Sequence, residues 1–224
     1  MTHIRPDRNI KGILFDFDGV LADSMLDHFA AWKKAMKEFS VDITEEEYYP
    51  LEGMNVYEIA KKFCREHGLD VSCSMEIVHK KKANYIQNNT AVLYPGVEQI
   101  LDALKARKVL IGIVTASLYE QLLHSVPSGF LARFDAVVSG EKTARGKPFP
   151  DPYLQGLAEL KLQPEECIVV ENAPLGIQAA KSAGIYCIGI TSTVGRETLA
   201  EADEIVECFN GLMFSNIFKS HLSL

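Results

Sequence analysis

Ile10 to Ser24 reads IKGILFDFDGVLADS, and its reading decides the fold. Ile13, Leu14 and Phe15 form an apolar run of strand length. The run ends abruptly in two carboxylates, Asp16 and Asp18, followed by Gly19. Carboxylates are rarely buried unless they are paired, hydrogen-bonded or bound to a metal. Two of them at the carboxyl end of a central strand call for a cation, and in open α/β sheets that end is where ligands bind. Gly19 lets the backbone turn and come close to a ligand. Two other readings compete: an Asp-Gly turn that merely closes a strand, and a calcium loop. The calcium loop needs Gly at its sixth position and an entering helix. Here Gly19 falls fourth from Asp16, and a strand enters.

Outward from this stretch the chain divides in two. Ser24 is placed to cap a helix from Met25 to about Phe39, on which Met25, Phe29, Trp32, Met36 and Phe39 recur at spacings of three and four. Thr44 with Glu47 reads as a capping box, and Asn55 with Glu58 as a similar start. Gly68 is a stop signal, and a further helix covers roughly 74–87. From about Asp23 to Leu93 the reading is helical throughout, without a strand. From Tyr94 onward strands and helices alternate. Val109–Val114, Ala136–Val138, Cys167–Val170, Tyr186–Ile190 and Glu204–Val206 read as strands; helices are expected after Pro95, Leu118, Pro152 and Pro174. Such alternation means an α/β protein with a parallel, doubly wound sheet. The expected organisation is an α/β core of residues 1–23 and 94–224, with a helical cap, 24–93, inserted after the first strand.

Composition narrows the function. The chain has 224 residues, 47% hydrophobic and 24% charged, which suits ordinary globular cores. A formal net charge of −7 argues against non-specific nucleic-acid binding or an anionic membrane surface. The five cysteines, scattered and odd in number with no Cys-x-x-Cys pair, read as reduced thiols of a cytoplasmic protein. The amino-terminal MTHIRPDRN has no apolar stretch of leader length, and runs such as Val109–Val114 are too short to span a bilayer.

Three further stretches carry chemistry. Ile113–Ser117, IVTAS, ends a strand in hydroxyls and opens a helix, where free amides and a hydroxyl suit a phosphate. Gly146–Tyr153, GKPFPDPY, sets a single lysine, Lys147, among prolines that pin the backbone, with Arg145 beside it as a surface residue. Val169–Gly184, VVENAPLGIQAAKSAG, ends a strand in Glu171 and Asn172 and has Pro174 in the first turn of a helix.

DFDGVLADS resembles the first motif of the haloacid dehalogenase superfamily of phosphatases and phosphomutases. The other three stretches resemble its second, third and fourth motifs, in the family's order and over nearly the whole chain. The resemblance implies a Rossmann-like core with a helical cap. It implies that Asp16 is the nucleophile and forms an aspartyl phosphate, and that Asp18 is the general acid and base. Thr115 and the Ala116 amide would hold the phosphoryl group, and Lys147 would neutralise Asp16 and the phosphate together. Asp16, Asp18 through its carbonyl, Glu171 and Asn172 would hold Mg²⁺. The chain departs from the family at Asn172, where a second acidic residue is usual; an amide oxygen can ligate Mg²⁺ but brings no charge. A carboxylate is a feasible nucleophile toward phosphorus, and a cation would offset its repulsion of an incoming phosphate.

Within the superfamily the chain is similar to the β-phosphoglucomutase-like subgroup. His28 matches a cap histidine, and Leu51–Asn55, with Gly53 and Asn55, resembles the substrate loop. Lys81 matches a cap lysine, although a run of lysines on a helix, Lys80–Lys82, otherwise reads as a solvated face. Val56 stands where the mutase carries a phosphate-binding arginine. The expectation is a Mg²⁺-dependent phosphatase of small phosphomonoesters, a sugar phosphate or similar metabolite, acting as a monomer or weak dimer. A sugar phosphomutase and a non-catalytic phosphate-ligand binder on the same fold are the alternatives.

Overall fold

The computed structural model describes residues 9–219, so the amino-terminal stretch read above for a leader lies, except for Asn9, outside the described residues. In chain order the elements are β1 (Gly12–Phe15), β2 (Ala22–Asp23), α1 (Met25–Lys37), α2 (Glu45–Tyr48), α3 (Val56–Glu66), α4 (Ser74–Asn88), β3 (Val92–Leu93) and α5 (Val97–Ala106). Then follow β4 (Leu110–Val114), α6 (Tyr119–Ser125), β5 (Ala136–Val138), α7 (Asp151–Leu160), β6 (Cys167–Glu171), α8 (Pro174–Ser182), β7 (Tyr186–Ile190) and β8 (Glu204–Val206).

Six strands form one parallel sheet in the order β5-β4-β1-β6-β7-β8. β1 lies inside it, with Phe15 in register with Ile113 of β4 and Val170 of β6. Side chains alternate across a strand, so each strand feeds two cores. Ile13, Phe15, Ile113 and Val170 pack on one face with Ile100, Leu101 and Leu104 of α5. Leu14, Val114 and Val169 pack on the other with Tyr153 and Leu157 of α7 and Ile177 of α8. Burial on both faces is why the strands read as continuous apolar runs. The same register brings Asp16, Thr115 and Glu171 to neighbouring strand ends.

The segment after β1 builds a third, separate core. Met25, Trp32 and Met36 of α1 pack with Ile59 and Phe63 of α3 and Ile77 and Val78 of α4, and Phe29 lies against them. The Thr44–Glu47 capping box is present in full. Asn55 caps α3 by accepting from the Tyr57 amide at 2.9 Å.

Two expectations are corrected. Ala22–Asp23 and Val92–Leu93 pair as a short antiparallel ribbon, exactly two residues a side, where no strand was expected. Two residues are too few to show a period in sequence. Ser24 precedes α1 but makes no side-chain cap bond; its hydroxyl donates to Asp18 Oδ1 at 2.6 Å instead, because a carboxylate is the stronger acceptor.

Candidate active site

At the tip of β1 the two carboxylates meet opposite surroundings. Asp16 is buried, and Lys147 Nζ donates to its Oδ1 at 2.7 Å. The same ammonium donates to Glu171 Oε1 at 2.5 Å and to the Val114 carbonyl at 3.2 Å. Glu171 also accepts from the Tyr153 hydroxyl at 2.7 Å and, through Oε2, from the amides of Asn172 and Ala173 at 3.0 and 3.3 Å. Burial pushes the Asp16 carboxyl up to about 8; Lys147 opposes the shift, and Glu171 and Asp18 add to it. Burial alone would lower Lys147, but Asp16 and Glu171 outweigh it and hold its ammonium above the ordinary lysine range.

Asp18 sits where the cap meets the core. Its Oδ1 accepts from Ser24 Oγ and lies 2.8 Å from His28 Nε2, while its Oδ2 accepts from Ser117 Oγ at 2.7 Å and, more weakly, from Thr115 Oγ1 at 3.4 Å. Burial works against its charge, yet His28 and the two serine hydroxyls hold its carboxyl well below the ordinary range. Lys81 Nζ lies 2.8 Å from His28 Nδ1. A donor at Nδ1 leaves the ring proton on Nε2, facing Asp18. Burial lowers His28, and it lowers Lys81 to about 7. Lys81 is buried over the rings of Trp32 and Tyr85, whereas Lys80 and Lys82 are only partly covered and pair with Glu38 and Glu120. The solvated-face reading therefore holds for its neighbours and fails for Lys81.

Asp16, Asp18, His28, Gly53, Lys81, Thr115, Ala116 and Asn172 line one cavity of about 40 Å³. Lys147, Glu171 and Asn55, grouped with these residues by sequence, do not line it; Lys147 reaches it only through its contact with Asp16. Glu171 lies beneath the site with both oxygens engaged by Lys147, Tyr153 and backbone amides. Asn55 donates to the Gly140 carbonyl at 3.1 Å and ties the cap to the core beside the cavity. Arg145 is exposed and pairs with Asp151, as a surface residue. Val56 is buried and lines the cavity. Glu52 and Tyr153 lie within stretches the sequence singles out, Leu51–Asn55 and Gly146–Tyr153, without being marked themselves; nothing in the sequence marks Thr193.

The donor set tests whether Mg²⁺ fits. The Asn172 side chain reaches Thr193 Oγ1 with one end, at 3.0 Å. Its other end lies 3.3 Å from Asp16 Oδ2 and 3.2 Å from the Asp18 carbonyl. With the amide oxygen at that end, three oxygens converge with no hydrogen between them, at roughly the edge length of an octahedron around Mg²⁺. With the nitrogen there, the amide donates to both. Gly19 makes this approach possible: its φ is +79°, and a Cβ there would fall 2.2 Å from Asn172 Nδ2. A carboxylate, a carbonyl and an amide oxygen suit a hard cation that keeps waters and takes phosphate oxygens for its other positions.

Residues 13–190 match the family model of haloacid dehalogenase-like hydrolases. The chain belongs to that family. It is 30% identical over 201 residues to validoxylamine A 7'-phosphate phosphatase of Streptomyces hygroscopicus subsp. limoneus, covering 88% of this chain and 93% of the relative. It is 30% identical over 190 residues to the β-phosphoglucomutase of Bacillus subtilis, covering 81% and 83%. The solved structure of β-phosphoglucomutase from Clostridium difficile superposes with a TM-score of 0.83 at 26% identity, over 96% of this chain and 98% of that one. The chain is thus an enzyme of a hydrolase family with the β-phosphoglucomutase-like fold. Among the described residues no helix is long and apolar enough to cross a membrane.

Proposed function

We propose that this chain is a Mg²⁺-dependent phosphatase of a small phosphorylated metabolite, a sugar phosphate or similar ester, working through an aspartyl phosphate on Asp16. The observation that carries the reading is the pairing at the tip of β1: Asp16 held by Lys147 at 2.7 Å, with Asp18 two residues on facing the cap. Asp16 Oδ2, the Asp18 carbonyl and Asn172 would hold Mg²⁺, whose charge, when bound, offsets that of Asp16 and the phosphate. Lys147 favours the ionised, nucleophilic form of Asp16. A carboxylate oxygen of Asp16 attacks phosphorus as the ester P–O bond breaks. Asp18 gives a proton to the leaving oxygen, then takes one from the water that hydrolyses the aspartyl phosphate. The Thr115 hydroxyl and the Ala116 amide hold the phosphoryl oxygens.

The cavity of about 40 Å³ has room for only a few waters. A sugar phosphate therefore requires the cap to swing away, and the β2–β3 ribbon is where the chain crosses between cap and core. Closure then excludes water from the first transfer, and reopening releases the product.

A sugar phosphomutase is the second reading, favoured by the buried His28 and Lys81 and by the mutase relatives. Hydrolysis is preferred because Val56 is an apolar wall where a mutase needs a cation for its second phosphate. We place the enzyme in the cytoplasm, as a monomer or weak dimer; its five free thiols suit a reducing compartment. The test is phosphate release from a panel of sugar phosphates with Mg²⁺ or with a chelator, beside conversion of β-glucose 1-phosphate to glucose 6-phosphate with a bisphosphate activator. Release should exceed isomerisation and stop without Mg²⁺. Faster isomerisation would overturn the preference, and release undiminished by the chelator would overturn the metal.

A further inference from the structure

The phosphoryl end of the active site has a second space beside it. A cavity of about 10 Å³, room for one water, shares Gly53, Thr115 and Ala116 with the active-site cavity. It shares Asn55, Gly140, Thr143, Gly146 and Lys147 with a groove of about 980 Å³ at the cap–core seam. The three spaces therefore run in line from Thr115 and Ala116 to the groove, with the small cavity as a neck between them.

The neck has thin walls. Met54 and Asn55 of the cap face Gly140, Gly146 and Lys147 of the core. Asn55 donates to the Gly140 carbonyl at 3.1 Å, and Met54 and Lys147 form an isolated backbone bridge. A Cβ at Gly146 would fall 3.0 Å from Asn55 Cβ, and one at Gly140 would fall 2.2 Å from the Ala116 carbonyl oxygen. The core wall is bare backbone at both positions. Parting the seam there breaks a neutral hydrogen bond and one bridge, neither of them an ion pair.

Charge says what the neck passes. Three carboxyl groups, of Asp16, Asp18 and Glu52, line the active-site cavity. Among the described residues no carboxyl lines the neck, and Lys147 does. On a chain of formal charge −7, the groove carries Lys61, Lys62, Arg65 and Arg145 against Glu58, Glu66 and Glu141. Lys61 and Lys62 pair with Glu58 and Glu66, whereas Arg65 is exposed and has no ion pair among the described residues. An anion at Thr115 and Ala116 thus meets like charge toward the cap, and a lysine and then a free arginine along the neck.

We propose that the neck is the exit for inorganic phosphate: the alcohol leaves beneath the swung cap, and the phosphate leaves through the parted seam between Asn55 and Gly140 into the groove. The inference rests on the phosphatase reading above and adds a route to it. In the last covalent step the water oxygen bonds to phosphorus, the bond from Asp16 to phosphorus breaks, and the water proton goes to Asp18. Until the phosphate leaves, the reverse step can expel any one of its oxygens as water and re-form the aspartyl phosphate.

The test narrows the exit with Thr143→Phe, since Thr143 lines both neck and groove and touches none of the reacting groups. Hydrolysis in ¹⁸O-water reads the delay, because each reversal before release adds a labelled oxygen. The variant should release phosphate about three- to tenfold more slowly, as expected when product release is obstructed, and with more ¹⁸O per phosphate than the parent. The burst of alcohol should stay at the parent's rate. A narrowed route slows entry and exit alike, so ³¹P line shapes of added inorganic phosphate should show slower exchange at an unchanged Kd. Arg65→Glu, at the exposed mouth, should slow phosphate entry about threefold in low salt and leave it unchanged in high salt.

Parent-like labelling and release from Thr143→Phe would overturn the route and send phosphate out beneath the cap. If that variant loses the alcohol burst, its site is disturbed and Arg65→Glu decides: phosphate entry equal to the parent's at every salt concentration overturns the route. No phosphate release by the parent from any ester would sink the phosphatase reading, while slower ³¹P exchange in Thr143→Phe at an unchanged Kd would still support the passage. Release by the parent, with neither labelling nor exchange altered in the variant, overturns the passage alone.

Discussion

Around the cavity the core and the cap both bury charged side chains, but the core pairs its lysine with carboxylates and the cap does not. Lys147 stands between Asp16 and Glu171, and Tyr153 and two backbone amides complete Glu171. In the cap, among the described residues, Lys81 faces one imidazole and two aromatic rings with no carboxylate on its ammonium, and Glu52 keeps an oxygen unmatched. A matched network holds its geometry before anything binds, which is what a nucleophile and its counter-ion need. An unmatched one is finished by its ligand. The difference fits the proposed division of chemistry in the core and choice of substrate in the cap, and substitutions on each side can break that division.

The largest effect is expected at Asp16, the proposed nucleophile. Asp16→Asn keeps the shape and an acceptor for Lys147 but has no carboxylate to attack phosphorus. Phosphate release should fall about 10⁴-fold or more, as losses of nucleophiles do, with the fold retained by circular dichroism. Sizeable residual turnover would move the nucleophile elsewhere. Asp18→Asn should cost about 10²- to 10⁴-fold in turnover, the usual share of general acid–base catalysis. Rapid quenching should still trap slow phosphoenzyme formation, since Asp18 does not attack. A loss below tenfold on a good substrate would remove Asp18 from the proton transfers.

Stability offers a direct contrast between the two regions. Lys147→Met leaves two buried carboxylates facing each other and should cost about 3–5 kcal/mol in denaturant unfolding. Lys81→Met removes an ammonium that has no carboxylate partner, so it should be neutral or stabilising at pH 6 to 7. The pH dependence carries a sign. Lys81 titrates near 7 when folded, against an ordinary 10.5. Above about 7 the unfolded chain therefore holds a proton that the folded chain lacks, so the parent should gain stability as pH rises toward 10. Lys81→Met should flatten that gain. Similar losses at Lys147 and Lys81 would erase the contrast between core and cap.

Most of the core was legible in the sequence because its functional residues break a rule at a defined place. Asp16, Thr115 and Glu171 each end an apolar run, and Lys147 stands alone among prolines. The structure brings Asp16, Thr115 and Asn172 to one cavity, with Lys147 and Glu171 beneath Asp16. The cap was legible as packing and poorly as chemistry. Lys81 lies four residues after Ile77 and four before Tyr85, on the buried face of α4; that spacing was a usable signal, hidden by the lysines on either side. Glu52 lies within Leu51–Asn55, the stretch that resembles the substrate loop, but neither it nor Thr193 carries a signal of its own, because their contact depends on how the cap meets the core across 141 residues of chain. Ser24 was misjudged for a related reason. As a helix cap it was a local guess, and the Asp18 carboxylate that takes its hydroxyl is placed by the turn at Gly19.

The smallest effect, and the one that probes the core's own exception, is at Asn172. Its side-chain end facing Asp16 Oδ2 and the Asp18 carbonyl can present either oxygen or nitrogen. Presenting nitrogen, it donates to both and leaves the site matched without a cation. Presenting oxygen, it offers a neutral ligand. Asn172→Asp removes the first option and places a third carboxylate beside Asp16 and Asp18. The variant should therefore melt at a lower temperature than the parent in chelator and gain more on adding Mg²⁺, because a ligand that binds only the folded state stabilises it in proportion to its affinity. Half-maximal activity should need less Mg²⁺ in the variant, by about tenfold if the added charge is worth ~1.4 kcal/mol at a half-screened site. Turnover at saturating Mg²⁺ need not rise, since a neutral ligand leaves the ion a stronger Lewis acid toward phosphate. Coincident Mg²⁺ titrations with equal melting shifts would show that Asn172 is not a ligand, and that water must complete the shell around Asp16 and the Asp18 carbonyl.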